Sequence, residues 1–122
     1  MRIAKDLVAA SATPMVLAIL EEGESYGYAI LKQVDELSQG QLEWTDGMLY
    51  PLLHRLHRLG YLATRWHSPP GGRRRRYYRI TPAGRKALAD QQAQWTVVSD
   101  ALRNAFHEIR SAMFPILNPL TV

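Results

Sequence analysis

The sequence predicts a mainly α-helical fold carrying one small β-hairpin, and three observations predict it. Apolar residues recur at helical spacing in three short segments, the period drops to two just after Gly60, and a long apolar seam follows the alternating stretch. Each element can be justified from its own residues.

Thr13 and Pro14 read as the cap and first position of helix one, whose "PMVLAIL" runs to a stop at Gly23. Its apolar residues cover the whole circumference, which predicts burial on more than one side, with "IAKDLVAA" ahead of it as an extension or arm. Ser25 is the expected cap of helix two, in which Tyr26, Ile30, Val34 and Leu37 form one stripe ending near Gly40. Thr45 caps helix three, where Leu49, Leu52, Leu53, Leu56 and Leu59 repeat at three and four until Gly60. Pro51 lacks the N–H that would bond back to Gly47, so a distorted first turn is expected there.

Beyond Gly60, Leu62, Thr64 and Trp66 alternate with Tyr61, Ala63, Arg65 and His67, the pattern of a strand. "SPPGG" supplies turn residues, and "RRRYYRIT" supplies a second strand whose Tyr78 and Ile80 are expected opposite Leu62 and Trp66. Thr81 and Pro82 repeat the cap-then-proline signal and open a long helix to about Phe114. Leu88, Trp95, Val98, Leu102, Phe106, Ile109 and Met113 recur along it like the seam of a coiled coil. The domain boundaries expected are therefore 1–81 for the compact part with its N-terminal arm, 82–114 for a dimerisation helix and 115–122 for a poorly ordered tail.

At 122 residues the chain suggests one domain with a modest core, one that a partner subunit would help to stabilise. A hydrophobic fraction of 47% excludes a mostly disordered chain, and the absence of cysteine excludes disulfides and thiolate metal sites. Asp6, Thr13 and Pro14 interrupt the apolar start, which argues against a signal peptide, and no stretch approaches the length of a membrane span. A soluble, cytoplasmic protein is expected. Net charge is only +4, yet from Gly47 to Ala89 there is no acid, and that segment holds ten of the fifteen Lys and Arg residues. Such asymmetry is the footprint of a polyanion binder, whether the partner is nucleic acid, an anionic membrane surface or an acidic protein.

Three short helices, a hairpin and a long helix, in that order, make a winged helix-turn-helix with a terminal dimerisation helix. The stretches "EEGESYGYAILKQV", "GMLYPLLHRLHRLGYL" and "GGRRRRYYRITPAGRKAL" resemble the PadR family of bacterial transcriptional regulators, across roughly Ala12 to Ala89. The single terminal helix looks like the short-chain members. The chain departs from the family pattern at Met48, where Thr or Ser is frequent, at Ala29, where Glu is frequent, and at His57, where an acid is frequent. The resemblance implies a double-stranded DNA partner, a homodimer and no enzymatic activity.

The residues reach the same partner independently. With the leucines of helix three buried, Gly47, Pro51, His54 and Arg58 lie on the opposite face, with Tyr50 and Arg55 on its flanks. A helix face of that kind fits the major groove, where Arg and His read base edges; the alternative is an ordinary solvated face. Tyr50 also matches the family's "LYP". In a hairpin Arg73 and Arg75 point one way and Arg74 and Arg76 the other, so at a tip bounded by Pro69, Pro70, Gly71 and Gly72 the run can straddle a phosphate ridge or enter the minor groove. Its alternative is a solvated basic loop. Tyr26, Tyr28, Tyr77 and Tyr78 can donate to phosphates or pack beneath the wing.

His54 and His57 are three apart but have no cysteine or carboxylate nearby to complete a metal site, and no nucleophile or phosphate-loop motif is present, so neither metal, cofactor nor catalysis is expected. Trp95 reads first as a dimer-seam residue with Val98, Leu102, Phe106 and Ile109. Some short members of the resembled family open a hydrophobic pore at the dimer centre where a tryptophan stacks on flat aromatic compounds, which would make Trp95, Leu7 and Ala18 a ligand site. The expectation is a homodimeric repressor on a near-palindromic operator, loosened by a planar aromatic or xenobiotic effector. The competing reading is a small-molecule-binding dimer with residual DNA affinity.

Overall fold

The computed structural model describes residues 1–113, with side chains to His107. Ile109 and Met113 therefore lie outside the described side chains, and Phe114 and the tail 115–122 outside the described residues. The elements in chain order are α1 (Lys5–Glu21), β1 (Ser25–Tyr26), α2 (Gly27–Leu37), α3 (Asp46–Arg58), β2 (Leu62–His67), β3 (Arg75–Ile80) and α4 (Pro82–Met113).

Helix α1 begins eight residues before the expected cap. Pro14 lies inside it rather than at its start. The proline removes a single rung, the one its N–H would make to Ala10, and the alanine-rich turns on its N-terminal side keep the helix running. Ala12, Val16, Leu17, Ile19 and Leu20 are buried, which is less than the full circumference. Leu7 and Ala18, eleven residues apart and hence on one side, are both exposed.

Ser25 does not cap α2. Ser25 and Tyr26 form a short strand paired antiparallel to Tyr78 and Tyr77, so the hairpin becomes a three-stranded sheet in the order β1-β3-β2. Tyr26 becomes the residue preceding α2, and its ring meets that of Tyr77 edge to face at 5.3 Å. Ile30 and Val34 carry the buried stripe of α2, whereas Leu37 is exposed. Gly40 lies in the turn that follows α2, with φ of 77°, a left-handed conformation suited to glycine.

In α3, Leu49, Leu52, Leu53 and Leu56 are buried as their spacing requires, while Leu59 falls just past the helix and is exposed. Its first turn is regular, since Met48 and Leu49 both donate to the Thr45 carbonyl, and the missing N–H of Pro51 lies beyond it. Burying each of these leucines contributes about 1.5–3 kcal/mol. The β2–β3 register places Leu62 opposite Ile80, Thr64 opposite Tyr78 and Trp66 opposite Arg76. Leu62, Tyr78 and Ile80 close the core from the sheet side, and Trp66, expected to share that face, is 55% exposed.

Thr81 joins three elements. Its hydroxyl donates to the Gly60 carbonyl at 2.6 Å and accepts from the Gly84 N–H at 3.1 Å, while its own N–H donates to the Tyr61 carbonyl. The side chain thus caps α4 as the sequence suggested. The compact unit extends from Met1 to Ala89, so the first two turns of α4 belong with it and Leu88 is in its core. The second unit starts at Asp90. In it Trp95 is half-buried, whereas Val98, Leu102 and Phe106 stand exposed on one side of the helix at intervals of four.

Candidate nucleic-acid interface

The leucine stripe decides which face of α3 is free. Because that stripe is buried, Gly47, Tyr50, Pro51, His54, Arg55 and Arg58 are all exposed. Tyr50 and His54, four apart, lie on the flank toward the wing, and Pro51, Arg55 and Arg58 lie on the other. Tyr50 is held by a close approach: its ring and hydroxyl rest on Gly27 at the start of α2, where an added Cβ would overlap them.

The four arginines do not share one environment. Arg73 and Arg74 lie in the connecting loop and are exposed, whereas Arg75 and Arg76 start β3 and are half-buried. The alternation expected for a tip therefore holds only within the strand, because the turn ends at Arg74 rather than at Gly72. The Arg75 guanidinium stacks 4.0 Å from the Tyr26 ring centroid, and that of Arg74 lies 4.7 Å over Trp66. Arg76 donates to the Thr64 hydroxyl at 3.3 Å and lies against the Tyr78 ring. Each stack of this kind contributes about 0.5–1 kcal/mol at an exposed site. Burial raises the Tyr78 phenol pKa, in keeping with its packing role beneath the wing.

Between wing and helix runs a cleft of about 480 Å³ lined by Tyr26, Tyr28, Tyr50, His54, Trp66 and Arg74 to Arg76. It unites the wing flank of α3 with the arginine run, and contains no carboxylate. Hydroxyl donors, aromatic edges and guanidinium groups converging on one groove suit a phosphodiester backbone. Residues 16–90, which contain every part of this arrangement, match the model of the Transcriptional regulator PadR-like family.

The chain belongs to that family.

As a member of it, this PadR-like protein is a DNA-binding transcriptional regulator. A transcriptional regulator from Clostridium thermocellum has the same fold, with a TM-score of 0.75 at 28% identity over 82% of this chain and 97% of that one. A PadR family transcriptional regulator from Eggerthella lenta DSM 2243 gives 0.72 at 32% identity over 83% and 86% of the two chains. A transcriptional regulator of Mycobacterium tuberculosis is 46% identical over 57 residues, which span 47% of this chain and 52% of that one.

One cation of the PadR-like segment is already paired with an acid. Arg65 forms a forked ion pair with Glu24, its Nε 2.8 Å and its terminal nitrogen 2.6 Å from the carboxylate oxygens. That hydrogen bonding holds the Glu24 carboxyl below its ordinary range and pushes the Arg65 pKa up. Trp66 is the cleft residue that strand periodicity misassigned. It lies four residues past Leu62, about 13 Å along the strand, and that reach beyond a small core was the available signal. Among the described residues no group of three or more His, Asp or Glu side chains comes together, and no helix is long and apolar enough to cross a membrane.

Proposed function

We propose that the regulator is a homodimeric repressor whose two protomers occupy the halves of a near-palindromic operator. The observation that carries this reading is the carboxylate-free cleft in which Tyr50 and His54 of α3 meet Arg74, Arg75 and Arg76 of the wing. In it α3 enters the major groove with His54, Arg55 and Arg58 facing base edges, while Gly47 and Pro51 let the helix approach closely. Tyr50 donates to a phosphate in the cleft. Arg73 and Arg74 reach the backbone or the minor groove beyond it.

Pro82–Met113 serves as the dimerisation helix through Trp95, Val98, Leu102 and Phe106. The exposure of Val98, Leu102 and Phe106 supports this, since an unpartnered apolar stripe on one helix face calls for a partner. Dimerisation sets the two α3 helices about one DNA turn, roughly 34 Å, apart. A planar aromatic effector, with Trp95 as its candidate contact, would favour a dimer whose helices no longer match that spacing. The exposed Leu7 and Ala18 of α1 are further candidates for apolar contact.

The test is binding to the promoter region of its own gene against a random duplex of equal length, across a salt series. A preference of about 10³ or more with a steep salt slope is expected; equal affinity for both duplexes refutes the reading. Quenching of Trp95 by planar compounds with no change in DNA binding would instead favour a small-molecule-binding dimer with residual DNA affinity.

A further inference from the structure

On the side of α3 away from the wing, the compact unit has a second and larger recess of about 1140 Å³, formed by the start of α1, the α2–α3 connection and α3 itself. Val8, Ala12, Met48 and Leu52 give it an apolar floor. Arg2, Lys5, Arg55 and Arg58 stand round it, against a single acid, Glu43. None of these five charges forms an ion pair among the described residues. Arg55 has a single weak tether, a 3.3 Å bond donated to the Thr13 hydroxyl of α1.

We propose that this recess binds a small organic anion with an apolar body, and that its occupation and DNA binding exclude one another. The volume lies just above the roughly 300–1000 Å³ of ordinary small-molecule sites, and an apolar floor with a few convergent polar groups is their usual construction. Four unpaired cations to one acid select a carboxylate, sulfonate or phosphate head, and the floor selects an alkyl or aryl body. A neutral molecule of the same shape leaves the cations as they were. Exclusion follows from shared residues: Arg55 and Arg58 line the recess and also stand on the face of α3 proposed for DNA. An anion that draws them inward removes two positive charges from that face, and DNA that engages them leaves the anion without its counter-charges. The antagonism is therefore reciprocal. This second part rests on the reading of α3 as the DNA-contacting helix; the first part does not.

The probe is decanoate, below its micellar range, with decanol as its neutral counterpart. The full chain carries four methionines, so methyl labelling gives four signals, of which Met48 lines the floor and Met15 does not. Decanoate should shift the Met48 methyl resonance saturably and leave Met15 in place, decanol should shift neither, and Lys5→Glu should weaken decanoate at least fivefold. Ala9→Trp, at an exposed position on the rim, should obstruct the recess and abolish the shift without altering Met15 or DNA affinity. Saturating decanoate should weaken operator binding tenfold or more in the parent and not in Ala9→Trp. No saturable Met48 shift, or an equal shift from decanol, overturns the site. A shift with unchanged operator affinity overturns the exclusion, and dissociation of a dimer by Ala9→Trp shows the recess to be the seat of a second copy. Should the protein not prefer its operator at all, the DNA reading fails, while the Met48 titration still decides the site.

Discussion

Gly27→Ala separates function from stability by moving them in opposite directions. Gly27 opens α2, and an alanine Cβ there would fall inside the contact radius of the Tyr50 hydroxyl and ring. Tyr50 is 40% exposed, so the ring can swing away at little cost. What it loses is its position at the cleft. A hydroxyl bonded to a charged phosphate contributes about 1.5–3 kcal/mol; taking the lower figure for a half-exposed group gives about a tenfold loss in affinity per half-site, and on the order of a hundredfold for a dimer on a full operator. Stability moves the other way, because alanine is favoured over glycine in a helix by up to about 1 kcal/mol. Fluorescence anisotropy with the promoter duplex, read beside thermal unfolding of the free protein, tests both. In a Tyr50→Ala background the Gly27→Ala change should add nothing to the DNA defect. Full operator affinity in Gly27→Ala, or additive losses in the double variant, would refute the reasoning.

Gly84→Ala should behave differently, since its Cβ would meet the backbone carbonyl of Tyr61, which cannot rotate aside; a loss of about 1–3 kcal/mol in chemical denaturation is expected. Arg74→Ala should weaken binding to every duplex and flatten the salt slope, whereas Arg58→Ala should change sequence preference, a division that a panel of operator variants resolves. Replacing Leu102 and Phe106 by glutamate should give monomers in size-exclusion with light scattering, with DNA affinity falling accordingly. The Glu24 carboxyl, held low by Arg65, contributes stability above its ordinary pKa of 4.5 and loses it as pH falls through the depressed value. The thermal midpoint of Arg65→Ala should therefore lie below that of the parent at neutral pH and converge with it in acid.

Much of this architecture was legible because it is written in local periods. The α3 leucines repeat at three and four, so their burial and the exposure of Gly47, Tyr50, His54 and Arg58 were one inference. Thr81 was legible as a cap because its partner, the Gly84 N–H, is three residues away. Ser25 and Tyr26 were not, since their strand exists only through pairing with residues more than fifty positions later. Thr13 and Pro14 misled for the reverse reason: the signal is local, but the helix on its N-terminal side tolerates one lost rung. The arginine run exposed the limit of alternation, because where a turn ends decides which residues it governs. Nothing in Arg55 or Arg58 alone pointed to the second recess, whose other wall comes from the first dozen residues of the chain.

The division within the arginine run has a kinetic consequence. Arg75 and Arg76 already rest against Tyr26, Tyr78 and Thr64 in the free protein, so docking has fewer rotamers of theirs to freeze. Arg73 keeps its freedom, and ordering a long side chain on contact costs about 0.5–1.5 kcal/mol. On the operator reading proposed above, a loose outer arginine would pass from one phosphate to the next while the protein searches along a duplex, and the stiff inner pair would engage only where the backbone fits its fixed geometry. Sliding and stopping would then fall to neighbouring residues of one short run.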